Sequence, residues 1–238
     1  MIWRLVICFS LCLSLAVPAT VRGKISIQQA NGKRGKALQL SNVVVWLNEA
    51  ESSPTALVKV NAVRAKIVQK NKTFTPHVLA VPVGSTVDFP NADPIFHNAF
   101  SNYNGQIFDI GLYPPGSTRS VKFQKPGVVR VFCNIHSSMS AVIVVLATPW
   151  FATSDAEGSF EIEDVPEGNY RLEVYYEQAT EQTLSALQRD VSVGSDTVDI
   201  GTINISESGY LPIPHLNKYG KPYPSAGSDP GAYPGARP

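Results

Sequence analysis

The chain has 238 residues, 44% hydrophobic and 16% charged, enough for one large domain or two modest ones with separate cores. Its 20 basic and 19 acidic residues leave a formal charge of +1. That balance excludes any electrostatic case for binding nucleic acid or an anionic membrane.

The first residues stand apart. Arg4 supplies a positive start, and residues 5–17 are apolar except for Ser10 and Ser14. Val17-Pro18-Ala19 then offers the small or compact residues of a cleavage site. This pattern predicts a secretory signal peptide over 1–19, too short for a comfortable membrane span, with an uncleaved anchor as the alternative. The expectation is a periplasmic or secreted protein without a membrane span after cleavage.

Cleavage after Ala19 removes Arg4 and no acid, so basic and acidic residues become equal in number. It also removes Cys8 and Cys12. Cys133 is then the one thiol of a chain in an oxidising compartment, with no intramolecular partner. A lone thiol there is either an inert buried side chain or a ligand.

Past the signal, residues 24–27 and 42–47 read as strands separated by a turn region at Asn31-Gly32. Strands at 65–68, 78–81 and 85–89 follow, with Pro82 and Gly84 marking a turn. Those at 120–123, 128–133 and 140–146 come next, the first two split by Lys125-Pro126-Gly127. Beyond Pro149 lie 158–162, 170–175, 191–193 and 198–205. Short strands at this spacing predict an all-β chain of sandwiches or barrels. Only 178–189, with Leu184 and Leu187, has room for a helical turn or two. From Gly209 the chain has seven prolines and few aliphatics. Too little apolar surface is available there to offset ordering entropy, so 207–238 is expected to be disordered.

One stretch organises the functional reading. Cys133-x-x-His136-x-x-Met139 places a thiol, an imidazole and a thioether at the end of a predicted strand. A second imidazole, His97, lies upstream in Pro94-Ile95-Phe96-His97-Asn98, after a different strand. Two imidazoles, a thiolate and a weak thioether make the donor set of a blue-copper centre. The thiolate favours the reduced ion, imidazoles suit both states, and the long thioether contact keeps the geometry intermediate.

Residues 62–147 resemble the small cupredoxins, the plastocyanin, pseudoazurin and amicyanin family. The likeness rests on Phe74-Thr75-Pro76, Val83-Gly84-Ser85-Thr86-Val87, His97-Asn98, Gly127-Val128 and Cys133-x-x-His136-x-x-Met139. The two-residue gap between His136 and Met139 is most similar to amicyanin. The resemblance implies a Greek-key β-sandwich holding one copper ion that cycles between Cu(I) and Cu(II). It implies His97, Cys133 and His136 as strong ligands and Met139 as the weak axial one. It further implies that Asn98 ties the two ligand loops together near the thiolate, with Asn134 a lesser supporting residue. Electrons would pass through His136 at an apolar patch supplied by Ile135, Pro94, Ile95 and Pro114-Pro115, reached by redox partner proteins in small transient contacts.

Related chemistries are excluded by residue counts. A dinuclear electron-transfer site needs two bridging cysteines, and a multicopper oxidase needs His on both sides of its cysteine, where Phe132 and Asn134 stand here. Four histidines in all are too few for a trinuclear cluster besides. No Gly-x-Ser-x-Gly, His-Glu-x-x-His or phosphate loop occurs, so no enzyme activity is expected. His77 reads as structural or exposed and His215 as solvated, and Asp155 with Glu157 as a hairpin turn rather than a calcium loop.

A second module shows in Asp155-Ala156-Glu157-Gly158-Ser159-Phe160 followed by Pro166-Glu167-Gly168-Asn169-Tyr170. This resembles the carboxypeptidase regulatory-like β-sandwich, with Ser154 where a threonine is usual. The module's opening strands are missing just before Asp155 and present at 24–47. The expectation is a sandwich with halves 24–58 and 148–206, split by the cupredoxin-like insertion; a simple tandem is the rival. The combination resembles methylamine-utilisation-like cupredoxin proteins. The function implied is one-electron transfer. Copper binding or delivery, and an adhesion or scaffold role with a vestigial site, are the alternatives.

Overall fold

A computed structural model describes residues 18–29, 40–50, 59–102, 105–212 and 214–223. Most of the predicted signal peptide, the Asn31-Gly32 turn and residues 224–238 lie outside the described residues. The strands are, in order, β1 (Ala19–Gln28), β2 (Val44–Glu49), β3 (Arg64–Lys66), β4 (Val68–Lys70), β5 (Thr73–Thr75) and β6 (Val78–Pro82). Next come β7 (Thr86–Pro90), β8 (Phe100–Ser101), β9 (Phe108–Asp109), β10 (Thr118–Lys122), β11 (Gly127–Phe132) and β12 (Ser140–Leu146). The last are β13 (Phe151–Thr153), β14 (Ser159–Val165), β15 (Gly168–Tyr175), β16 (Arg189–Val193) and β17 (Val198–Ser206). One short helix, α1 (Glu181–Ala186), interrupts them, its first turn capped by Thr180 Oγ1 accepting from the Thr183 amide at 3.1 Å. The described chain is all-β.

Two groups of sheets form. β1 lies between β14, antiparallel, and β17, parallel. β2 pairs with β13 and with β15, and β16 continues that sheet. Alternating apolar residues of these strands close on one core, including Ile25, Leu47, Ile162, Leu172 and Ile205. The other group joins β10-β7-β3 to β6-β12-β11-β8-β9. Its core gathers Val87, Phe89, Phe123, Val131 and Ile143 around Cys133 and Met139. Among the described strands, the chain leaves the first group after β2 and rejoins it at β13.

The groups meet along an apolar seam. Val44 and Tyr175 pack on Val78, Val142, Val144 and Leu146. β12 is apolar on both faces, one toward Cys133 and one toward this seam. Each aliphatic side chain buried this way contributes about 1.5–3 kcal/mol. Beside the seam, His77 Nε2 lies 2.6 Å from Glu177 Oε2.

The Asp155 motif forms a turn, not an ion cage. Asp155 Oδ1 accepts from the amides of Glu157 and Ser159, at 3.0 and 2.7 Å. Gly158 turns there with φ +81, and a Cβ on it would stand 2.7 Å from the Ile25 carbonyl oxygen. The following motif closes on itself, with Tyr170 OH donating to the Pro166 carbonyl at 2.8 Å.

Three expectations differ from the structure. β1 begins at Ala19, not 24, because Ala19 and Val21 are buried in the same core. Disorder from residue 207 is not what the described part of that segment shows. It is held by polar and aromatic contacts, which its poverty in aliphatics concealed. His215 is not simply solvated: its ring stacks on Phe132 with centroids 4.0 Å apart.

Candidate metal centre

β11 runs into the site as a buried strand. Val129 and Val131 face the core, and the strand delivers Cys133 one residue past its end. The chain then folds back tightly. The Met139 amide donates to the His136 carbonyl at 3.1 Å, and the Cys133 amide donates to the Met139 carbonyl at 3.2 Å. The loop is thus closed by its own backbone, which fixes the Cys133 and His136 side chains to one side. Met139 is fully buried in the core that contains Cys133.

His97 arrives from the segment between β7 and β8. Its backbone pairs with Tyr113 in both directions, at 2.9 and 3.2 Å. Tyr113 is itself anchored, its hydroxyl donating to the Phe89 carbonyl at 2.9 Å and accepting from Gln69. Burial pushes that hydroxyl well above its ordinary pKa, so it stays neutral.

The donors converge. Cys133 Sγ is 3.9 Å from His97 Nδ1 and 3.7 Å from His136 Nδ1, and the three ligand atoms lie within 4.8 Å of one another. Metal–sulfur and metal–nitrogen bonds of about 2.3 and 2.0 Å, about 120° apart, separate the two donor atoms by about 3.7 Å. The arrangement fits a single ion with trigonal N, N, S donors. Cys133 and His97 are sealed from solvent, whereas His136 is half-buried. Cys133 is a free thiol.

The far side of His97 is fixed by an acid four residues upstream. Asp93 Oδ2 lies 2.7 Å from His97 Nε2, and the carboxylate is 7% exposed. Asp93 also accepts from the amides of Asn71 and Lys72, at 2.6 and 2.9 Å. Burial alone would raise its pKa, but the Lys72 amide, the His97 ring and the Asn71 amide outweigh that and hold it below the ordinary carboxylate range. An ionised carboxylate only accepts, so Nε2 carries the ring proton and Nδ1 keeps its lone pair toward Cys133.

Asn98 links the two loops. Its Oδ1 accepts from the Asn134 amide at 3.2 Å, and its Nδ2 donates to Asp109 Oδ1 at 2.7 Å. The Asn134 side chain accepts from the Lys218 amide at 3.0 Å. Of the proposed partner-facing residues, Pro94, Pro114 and Pro115 are exposed, while Ile95 and Ile135 are half-buried. Sequence reading missed Asp93, Tyr113 and the segment carrying Lys218. An acid four residues before His97 was the one available signal.

No family model and no curated protein matches the chain. Solved structures give partial likenesses. A purple cupredoxin from Nitrosopumilus maritimus is 26% identical over 34% of this chain and 99% of its own, with a TM-score of 0.31. A copper-containing nitrite reductase from Thermus scotoductus is 25% identical over 42% of this chain and 25% of its own, with a TM-score of 0.33. A reduced amicyanin mutant is 20% identical over 43% of this chain and 98% of its own, with a TM-score of 0.34. Scores this low carry no functional argument, and the chemistry rests on the side chains. His97, Cys133 and His136 form a cluster able to hold a metal ion.

Proposed function

We propose that the chain is an exported, mononuclear blue-copper protein acting as a one-electron carrier rather than an enzyme. The observation that carries this reading is the convergence of His97 Nδ1, Cys133 Sγ and His136 Nδ1 within 4.8 Å. A thiolate with two imidazoles selects a soft or borderline metal, and buried Met139 adds a weak thioether as fourth donor. Copper held by these residues supplies one-electron chemistry between Cu(I) and Cu(II).

The protein's own contribution is to hold and shield the donors. Asp93 and the Tyr113 pairing keep His97 in one orientation, and Asn98 keeps the Cys133 loop in register with it. Burial of Cys133, His97 and Met139 keeps water away. Half-buried His136 is the donor nearest solvent, so redox partner proteins would meet the site there, through small transient contacts with Ile135 and the exposed prolines.

Export follows from the signal-like residues 1–19. The domain reading is an insertion of 62–147 between sandwich halves 24–58 and 148–206. Its support is the pairing of β2 with β13 and β15.

Titration with a copper(II) salt, followed by visible absorption, tests the proposal. An intense thiolate-to-copper band saturating at one equivalent, and absent in Cys133→Ala, is expected. Copper-loaded protein without that band contradicts the blue-copper assignment.

A further inference from the structure

After β17 ends at Ser206 in the first group of sheets, the chain crosses to the other group and settles on the Cys133 loop. Asn217 builds a compact turn there. Its amide donates to the Lys221 carbonyl at 2.9 Å, and its Oδ1 accepts from the amides of Tyr219 and Lys221, at 2.9 and 3.1 Å. The turn places three residues against the ligand loop. Tyr223 OH donates to the Cys133 carbonyl at 2.7 Å. His215 Nε2 stands 2.8 Å from the Ser137 carbonyl oxygen, while its ring stacks on Phe132 and meets Tyr223 edge-on.

Lys218 completes a ring of four residues. Its amide donates to Asn134 Oδ1, and its Nζ lies 2.8 Å from Asp109 Oδ2. Asn134 and Asp109 are the same two residues that Asn98 joins. The ring therefore runs Asn98, Asn134, Lys218, Asp109 and back to Asn98. A segment poor in aliphatics gains little from apolar burial, and apart from the Lys218–Asp109 pair these contacts fall on residues 132–137, the stretch that carries Cys133 and His136.

We propose that residues 214–223 clamp the ligand loop, with His215, Lys218 and Tyr223 as positioning residues that hold Cys133 and His136 ready for the metal and slow its release. The effect on release rests on the copper reading above; the clamping of the loop does not.

The test uses the full chain and a His215→Ala/Tyr223→Phe double variant, with Lys218→Met as a second, milder variant. Amide hydrogen exchange of residues 133–138 is measured without metal, and copper loss to excess chelator is measured after loading. Loop exchange and copper release are each expected to rise roughly tenfold in the double variant, equivalent to about 1.4 kcal/mol. Lys218→Met should move both in the same direction, and exchange in β1 and β14 should stay unchanged as a control on folding. Unchanged loop exchange in both variants overturns the clamp. Faster exchange with unchanged release overturns its part in metal retention. A wild-type chain that takes up no copper sinks the copper reading, and the exchange measurement still decides the clamp.

Discussion

Asp93 Oδ2 sits 2.7 Å from Nε2 of His97, so a buried carboxylate backs the one imidazole of the site that is fully sealed from solvent. Negative charge behind an imidazole strengthens its donor atom and favours the more positive state of a bound ion. Asp93→Asn keeps the size and an acceptor oxygen but removes the charge. Copper(II) affinity should fall about 10- to 100-fold, the usual cost of losing such a partner. The reduction potential should rise by about 60 mV for each tenfold of weakening confined to the oxidised form. Voltammetry of the two proteins checks this, and an unchanged or lowered potential contradicts it.

Asn98 is 1% exposed and serves both Asn134 and Asp109. Asn98→Ala removes a hydrogen bond from each and leaves the Asn134 amide without that acceptor, at a cost of about 1–3 kcal/mol. Denaturant unfolding of the metal-free protein measures the loss. A difference below about 0.5 kcal/mol would mean that the two loops hold their register by packing alone.

The His77–Glu177 pair gives the seam a pH dependence. Its hydrogen bond to Glu177 raises the His77 pKa above 6.5 despite burial, which acts the other way. Burial would raise Glu177, but His77 outweighs it and lowers the carboxyl below 4.5. The His77 contribution is complete below pH 6.5 and disappears as pH rises through the raised value. The Glu177 contribution is complete above pH 4.5 and disappears as pH falls through the lowered value. Both are present from 4.5 to 6.5. The stability difference between the wild type and Glu177→Gln should peak in that window and narrow on either side. A pH-independent difference in thermal unfolding would refute the pairing.

What the sequence revealed depended on how local the cause was. Cys133 and His136 share one loop, and β11 and β12 carry long apolar runs, so donors and central strands were legible from residue order. β8 and β9 are two residues each, too short for any pattern to mark them. Asp93 looked like an ordinary turn acid because its role depends on amides at Asn71 and Lys72, across a separate hairpin. The segment at 214–223 was missed for another reason. Its order comes from a histidine stacked on Phe132 and from hydrogen bonds to loop carbonyls, which leave no periodic apolar trace.

The central claim is that one copper ion is held by His97, Cys133 and His136. Anomalous diffraction at the copper edge, from crystals of copper-loaded protein, tests it most directly. The account predicts one strong peak within bonding distance of His97 Nδ1, Cys133 Sγ and His136 Nδ1, with the Met139 thioether beyond it at a longer distance. A copper peak elsewhere on the protein, with this cluster left without metal, would contradict it.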